Sequence, residues 1–428
     1  MRVYLEFLGC RLNEAELSSW HRQLLSSGGS VVSTPEEADV LTLNTCAVTK
    51  QATRKSKQKL RSLHRRNPKA KIVATGCYAT LEPEKLKENL GVDLLVSNTE
   101  KDNLVSLIRS EFSNGEMPQA ATNPHTQSAF STTRTRAFVK VQDGCRNRCS
   151  FCIVTVARGV ERSRSIKDII SELHELQSLG HQEVVLTGVH LGGYGSDLGS
   201  NLQELVEAVL KDTSIPRIRL GSLEPWDLPK GFFKLWKNPR LCPHLHMPLQ
   251  SGSNTILKRM IRRCTVEQYK TLTEDALQQN PDFHISSDII VGFPGETQVE
   301  FDETLKTIDS LPFGDLHLFT YSPRSGTAAT RLPNHVPKTL AKERHKILKQ
   351  LASEKYTERL SALDKTVRTV LWERDAQALA DSEQLKWNGY TDNYFRVEFQ
   401  SKEPLFNQIK PHLLAFNAEQ NKLLALPL

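Results

Sequence analysis

The sequence predicts an α/β protein in three parts: an N-terminal open parallel α/β sheet, a central partial (β/α)6 barrel of the TIM type and a small C-terminal all-β barrel. Three observations carry that expectation. Residues 1–112 alternate short apolar strands with longer amphipathic stretches. Strand–helix units then follow at a longer period over 134–361. Beyond 362 the helical period gives way to short alternating strands.

The strands of the first part are "RVYLEFLG", "DVLTLNT", "KIVATG" and "VDLLVSNT", each β-branched or leucine-rich and bounded by turn residues. A stretch rich in Ser, Thr, Asn, Gln and Pro over 113–133 reads as a linker. The barrel strands are "AFVKVQ", "EVVLTG", "RIRLGS", "HLHMPL", "HISSDIIVG" and "DLHLFTYS", with helices between most of them, for example over 166–180, 201–211 and 297–310. A charged helix over 338–361 closes this part. The last part, 362–428, is read from "TVRTVLWER", "NGYTDNYFRVEF" and "NKLLAL".

The chain has 428 residues, 38% of them hydrophobic, enough for real cores and too many for a disordered chain. No apolar run approaches the roughly 18 residues that span a bilayer. The start, "MRVYLEFLGC", has no signal-peptide pattern, so a cytoplasmic, membrane-free protein is expected. In a reducing compartment its eight cysteines read as metal ligands, catalytic groups or buried thiols rather than as disulfides.

Cys145, Cys149 and Cys152 form "CRNRCSFC", spaced CxxxCxxC, directly after the first barrel strand. Three thiolates on one short loop hold three corners of a [4Fe–4S] cluster and leave the fourth iron open to another ligand. Zinc, the competing metal, wants a fourth Cys or His at regular spacing, and none follows nearby. Cys10, Cys46 and Cys77 lie far apart, yet each ends an apolar strand, in "YLEFLGC", "VLTLNTC" and "IVATGC". In a parallel sheet those ends share one edge, where a second three-thiolate cluster could form. The alternative is three buried cysteines acting as small hydrophobes. Cys242 and Cys264 have no partners at ligand spacing and read as structural.

"CRNRCSFC" resembles the signature of the radical S-adenosylmethionine enzymes. "GCRLNEAE", "NTCAVT" and "TGCYA" resemble the N-terminal domain of the methylthiotransferases within that superfamily, and the similarity extends over essentially the whole chain. "NTCAVT", "GCYA", "LTGVHLGGYG", "HLHMPLQSGSNTILKRM" and "GYTDNY" look most like the branch acting on N6-threonylcarbamoyladenosine at position 37 of tRNA. "NTCAVT" departs from that branch, which more often has Thr after the Cys; no ligand is lost. The resemblance implies two [4Fe–4S] clusters, S-adenosylmethionine, a radical core and a C-terminal TRAM domain. It also implies two uses of S-adenosylmethionine: methylation of sulfur at the Cys10/Cys46/Cys77 cluster, and radical generation at the Cys145/Cys149/Cys152 cluster. No conventional general base is expected, because the cofactor carries the difficult chemistry.

Further candidates for S-adenosylmethionine binding are less specific. The resemblance places Phe151 against the adenine and the methionine amino group near "LTGVHLGGYG", where Gly188 would let backbone approach a ligand. Glu224 ends a strand and could bond a ribose; Gln250 and Asp288 sit in or beside strands facing the barrel mouth. Arg158, Arg162 and Arg164 follow the cluster loop and could hold phosphate or a cofactor carboxylate. Each also has a plain structural reading as core packing, a turn, a satisfied hydrogen bond or surface charge.

The net charge of +7 is unevenly placed. Between Lys50 and Lys71 basic residues accumulate with no acid among them, so the remainder of the chain is slightly acidic. Ala52, Ser56, Leu60 and Leu63 form one narrow packing stripe on a helix whose other faces carry Arg54, Lys55, Lys57, Arg61 and Arg65. Such a face neutralises phosphates without reading bases. The nearly neutral C-terminal part offers Tyr390, Asn393 and Tyr394 for stacking and edge contacts with unpaired bases, unless they only fill a small barrel. The expectation is therefore a monomeric tRNA-modifying enzyme acting on the anticodon loop, with its electron donor and sulfur source unidentified. The alternatives are the same chemistry on N6-isopentenyladenosine or on a ribosomal-protein aspartate, and a non-catalytic iron–sulfur RNA-binding protein.

Overall fold

The N-terminal strands are parallel, and most are followed by a helix that returns the chain to the same edge. In the computed structural model, which describes residues 1–112, 135–374, 376–378 and 383–428, these elements are β1 (Arg2–Phe7), α1 (Arg11–Ser26), β2 (Ser30–Val31), β3 (Val40–Thr45), α2 (Lys50–Arg66), β4 (Lys71–Gly76), α3 (Cys77–Leu81), α4 (Pro83–Leu90), β5 (Leu94–Val96) and α5 (Leu104–Phe112). The sheet order is β2-β1-β3-β4-β5, all parallel. The linker expected over 113–133 lies outside the described residues.

The central part supplies β6 (Arg136–Lys140), β7 (Gln142–Asp143), α6 (Val154–Arg158), β8 (Arg162–Ser163), α7 (Ile166–Ser178), β9 (Glu183–Thr187), α8 (Leu202–Asp212), β10 (Arg217–Leu220), β11 (His244–His246), α9 (Asn254–Arg259), α10 (Val266–Gln279), β12 (His284–Val291), α11 (Gln298–Ser310), β13 (Phe313–Thr320) and α12 (Lys338–Ser361). Its parallel strands form two 3-stranded sheets, β10-β9-β6 and β11-β12-β13. Single bridges at Ile218/Leu241 and Ser222/His246 join them into one curved wall, the expected incomplete barrel. Among the described residues no helix is long and apolar enough to cross a membrane.

The C-terminal part is a small barrel of β14 (Val367–Trp372), β15 (Gln377–Ala378), β16 (Leu385–Thr391), β17 (Arg396–Ser401), β18 (Ile409–Asn417) and β19 (Lys422–Leu426). A β14–β16 pairing closes it. "NGYTDNYFRVEF" holds the end of β16, a tight turn and β17. Thr391 braces that turn, accepting from Phe395 N (2.8 Å) and donating to Asn393 Oδ1 (2.7 Å). Sequence reading gave no sign of β18, where Pro411 and His412 interrupt the alternation that marks a strand.

Helix α1 fastens the first part to the second. It packs between the N-terminal sheet and β6, so polar Asn13 and Glu16 are buried along with its apolar face. Arg158, at the end of α6, reaches across. Its guanidinium meets Glu16 (3.1 Å), Asp143 (2.9 Å) and Asn13 Oδ1 (2.7 Å), and Lys101 pairs with Glu16 at 2.6 Å. Burial by itself would raise the Glu16 and Asp143 carboxyls, but Lys101 and Arg158 hold both below the ordinary carboxylate range.

Replacing Glu16 with Gln leaves two buried cations short of a partner and is expected to remove about 3–5 kcal/mol of stability in chemical denaturation. The charge contribution has a definite sign with pH. It is complete above the unfolded carboxylate range near about pH 4, and lost as pH falls through the lower native values. The wild-type stability should drop on acidification in that window, and the Glu16→Gln protein should show a shallower drop.

Candidate functional site

Cys10, Cys46 and Cys77 stand just beyond β1, β3 and β4, on the common edge of the sheet, and all three line one cavity of about 660 Å³. Glycine makes their approach possible. Gly9 has φ +100°, and a Cβ there would lie 2.7 Å from both Cβ and Sγ of Cys46. Asn13 donates to Leu8 O (2.7 Å) and Thr45 O (3.3 Å), binding together the segments that lead into Cys10 and Cys46. Ser56, on the packing stripe of α2, bonds both the N–H (3.1 Å) and the carbonyl (3.0 Å) of Cys46.

The thiol chemistry fits a cluster. Burial pushes Cys46 up to about 11, and neighbouring Cys10 and Cys77 add to the shift. The Cys46 thiol therefore stays protonated at neutral pH unless a cation replaces its proton, which is what ligation to iron provides. Burial opposes the charge on Arg158, yet Glu16, Asp143, Cys77 and Cys10 more than compensate, so a fixed positive charge stands beside the thiols.

The second trio sits on a loop clamped from several sides. Gly144 turns the chain sharply into it with φ +74°; a Cβ there would lie 1.9 Å from Val160 O. Cys145 N donates to Gly159 O (3.1 Å), Ser150 N to Met260 O (3.0 Å), and Ala329 N to Ser150 O (2.7 Å). Burial pushes Cys145 up to about 11 and Cys152 up to about 12, and moves Cys149 the same way. Arg262 approaches Cys149 Sγ at 3.7 Å, pairs with Glu224 at 2.6 Å and lies 4.3 Å from the Trp226 ring. The loop's Asn147 touches His190 (3.0 Å), which in turn lies between Glu161 and Asp227.

Several of the expected contact residues have partners within the protein. Arg158 is buried in the Glu16/Asp143 network, so it fastens parts of the protein together, and it also lines the cavity beside the first trio. The Arg164 guanidinium pairs with Glu172 and donates to Lys140 O (2.8 Å). Arg162 caps carbonyls of its own loop and nears Asp143. One oxygen of the Glu224 carboxylate is engaged by Arg262. Asp288 faces His246 at 3.3 Å. Gln250 adopts φ +77° with its backbone bonded to Asp288 and Ile290. Phe151 packs on the apolar shelf of Ile256, Met260 and Phe293. Gly188 lines the cavity, and a Cβ there would lie 2.9 Å from Gln142 Oε1.

On α2, Arg54, Lys55, Arg61 and Arg65 are exposed, and none has a carboxylate partner among the described residues. Lys57 instead lies over the Tyr78 ring at 5.5 Å. Tyr390 and Tyr394 stack at 5.0 Å and line the cavity. The Tyr394 hydroxyl accepts from Arg136 (2.8 Å). Asn393 is buried and donates to Asp282 O (3.1 Å), so it holds the turn and offers nothing to a base. Sequence reasoning passed over His246 and His317, whose ligand atoms and that of Asp288 all lie within 4.8 Å of one another. Their alternation with Asp315, His244 and Ser286 along β11, β12 and β13 was the available signal for a polar barrel interior.

Residues 2–97 match the Uncharacterized protein family UPF0004, and residues 139–308 match the Radical SAM superfamily. The threonylcarbamoyladenosine tRNA methylthiotransferase MtaB of Thermotoga maritima is 37% identical over 410 residues, covering 93% of this chain and 91% of that protein. The chain belongs to the radical S-adenosylmethionine methylthiotransferases. The Bacillus subtilis MtaB is 34% identical over 418 residues, covering 95% of this methylthiotransferase and 92% of its relative. The tRNA-2-methylthio-N(6)-dimethylallyladenosine synthase of Ehrlichia canis is 31% identical over 436 residues, covering 98% of each chain. The radical S-adenosylmethionine methyltransferase TsrM of Kitasatospora setae shares the fold, with TM-score 0.55, 14% identity, and coverage of 74% of this chain and 72% of that one. The enzyme uses S-adenosylmethionine and [4Fe–4S] clusters, which supply radical chemistry when bound.

Cys46→Ala is expected to lower iron in anaerobically reconstituted enzyme from roughly eight to roughly four per chain, since it removes a ligand of one of two cubes. Gly9→Ala should lower it in the same direction while leaving every thiol in the sequence, because the added methyl clashes with Cys46 Cβ and Sγ at 2.7 Å and displaces them. Iron quantification alongside electron paramagnetic resonance of the remaining cluster checks both.

Proposed function

We propose that this methylthiotransferase acts on tRNA, placing a methylthio group on C2 of N6-threonylcarbamoyladenosine at position 37 of the anticodon loop. Cys10, Cys46 and Cys77 hold one cluster and Cys145, Cys149 and Cys152 the other. The observation that carries the reading is the cavity at the Cys10/Cys46/Cys77 edge, next to the loop of the second trio. The first trio opens into it directly, and Val154, two residues beyond Cys152, and Gly188 line it as well. A base in that space lies at the first trio, with the start of α6, just after the second trio, alongside. The names of the MtaB relatives support the nucleoside.

In this reading the chain's own residues position and neutralise. Arg262 opposes negative charge at Cys149, and Arg158 does so beside Cys10 and Cys77. Phe151, Gly188 and Gln250 are the proposed S-adenosylmethionine contacts. The exposed face of α2 holds tRNA phosphates, and the C-terminal barrel over 362–428, in the place of a TRAM domain, presents Tyr390 and Tyr394 to the target nucleotide. The enzyme works as a cytoplasmic monomer.

Deleting the gene should abolish 2-methylthio-N6-threonylcarbamoyladenosine in tRNA nucleosides analysed by mass spectrometry, and a plasmid copy should restore it. Loss of the dimethylallyl counterpart instead would move the enzyme to the sister branch. Replacing Arg61 and Arg65 together with Ala should weaken tRNA binding about equally across sequences. It should also flatten the plot of log affinity against log salt, by about 0.7–0.9 for each phosphate that is no longer neutralised.

A further inference from the structure

Arg396, an exposed residue of β17, lines the cavity with no counter-charge. Its guanidinium donates to Asn388 Oδ1 at 2.9 Å, and among the described residues it pairs with no carboxylate. Glu398, two residues on, is taken by Lys386 and Lys422. Arg219 adds to the positive wall. Burial leaves it 2% exposed, two of its nitrogens bond Glu183 at 3.0 and 3.3 Å, Nη1 has no partner, and the Tyr394 ring covers it at 4.5 Å. The same cavity receives the exposed His317 ring and Asp315, whose carboxylate accepts from Leu316 N at 2.8 Å.

Val154, Val185 and Leu220 line other parts of the cavity, but a hydrocarbon substituent is mismatched to the wall where these charged groups stand. Guanidinium, imidazole and carboxylate would be desolvated against it with nothing in return, the circumstance in which polar sites reject an analogue most strongly. The threonylcarbamoyl group supplies what they lack: a carboxylate and carbonyl oxygens for cationic donors, and N–H and O–H groups for Asp315. Position also agrees. In adenine C2 and C6 flank N1, so a base that turns C2 toward Cys10, Cys46 and Cys77 directs its N6 substituent away from them, toward the barrel and C-terminal walls.

We infer that the wall formed by Arg396, Tyr390 and His317 is a subsite for the carboxylate-bearing N6 substituent, and that Arg396 selects it by a charge-assisted, two-pronged contact. The inference rests on the nucleoside proposed above. Arg396 is a specificity residue; it has no part in the radical step.

The test uses reconstituted full-length enzyme and two anticodon stem–loops, one carrying N6-threonylcarbamoyladenosine and one carrying its uncharged carboxamide. Wild type should prefer the acid by about 10- to 100-fold in KM, the effect of one hydrogen bond to a charged group. Arg396→Gln should raise KM for the acid to that of the amide, and Arg396→Lys should recover part of the preference. Iron content and melting temperature of the variants confirm an intact fold. An Arg396→Gln enzyme that keeps the wild-type preference overturns the subsite. A wild type that methylthiolates neither loop, yet accepts one carrying N6-dimethylallyladenosine, overturns the nucleoside proposal and the subsite with it.

Discussion

The buried contact of Arg158 with Glu16 and Asp143 is the constraint on which the geometry of both thiol sites depends. Arg158 lies six residues after Cys152 and Glu16 six after Cys10, so each end of this ion network is tethered by a short segment to one cysteine trio. Lys101, Lys140 and Asn13 complete the network, which leaves no member without a counter-charge or hydrogen bond. A buried cluster of this kind is weak evidence for stability, because desolvation offsets much of the attraction. Its value here is registration. An apolar contact between α1 and β6 would tolerate sliding, whereas a guanidinium shared among three oxygen acceptors fixes orientation and distance.

That registration determines what the cavity becomes. The N-terminal sheet contributes thiols, the barrel contributes inward-facing polar side chains, and the C-terminal part contributes Tyr390, Tyr394 and Arg396. The three parts meet around one space, and none encloses it alone. The lower wall is itself cross-braced: Arg217 bonds backbone of Tyr390 and Thr369, and His284 bonds Asn393 O. The C-terminal barrel is thus seated on the core through backbone contacts that leave its aromatic and cationic side chains facing inward.

Much of this was legible in the residue pattern. The strand ends carrying Cys10, Cys46 and Cys77, the CxxxCxxC loop and the acid-free α2 are local or periodic signals, and they survive without knowledge of neighbours. The secondary candidates fared differently. Arg158, Glu224 and Asn393 were read as reaching outward because charged and polar side chains usually do. Each instead meets a partner supplied by a distant segment: Glu16, Arg262 and Asp282 respectively. His244, His246 and His317 went unnoticed because a single histidine on a strand is unremarkable, and their convergence depends on the order in which strands adjoin.

Fold class, the two sulfur-bearing trios and the acid-free basic helix followed from the order of amino acids, since periodicity and spacing act over a few residues and do not require the chain to close on itself. Which charged groups stay free and which are consumed in internal pairs was settled by folding. Pairing energy in a desolvated interior depends on separation in space, and residues more than a hundred positions apart, such as Arg158 and Glu16, become neighbours only once helix and sheet have packed.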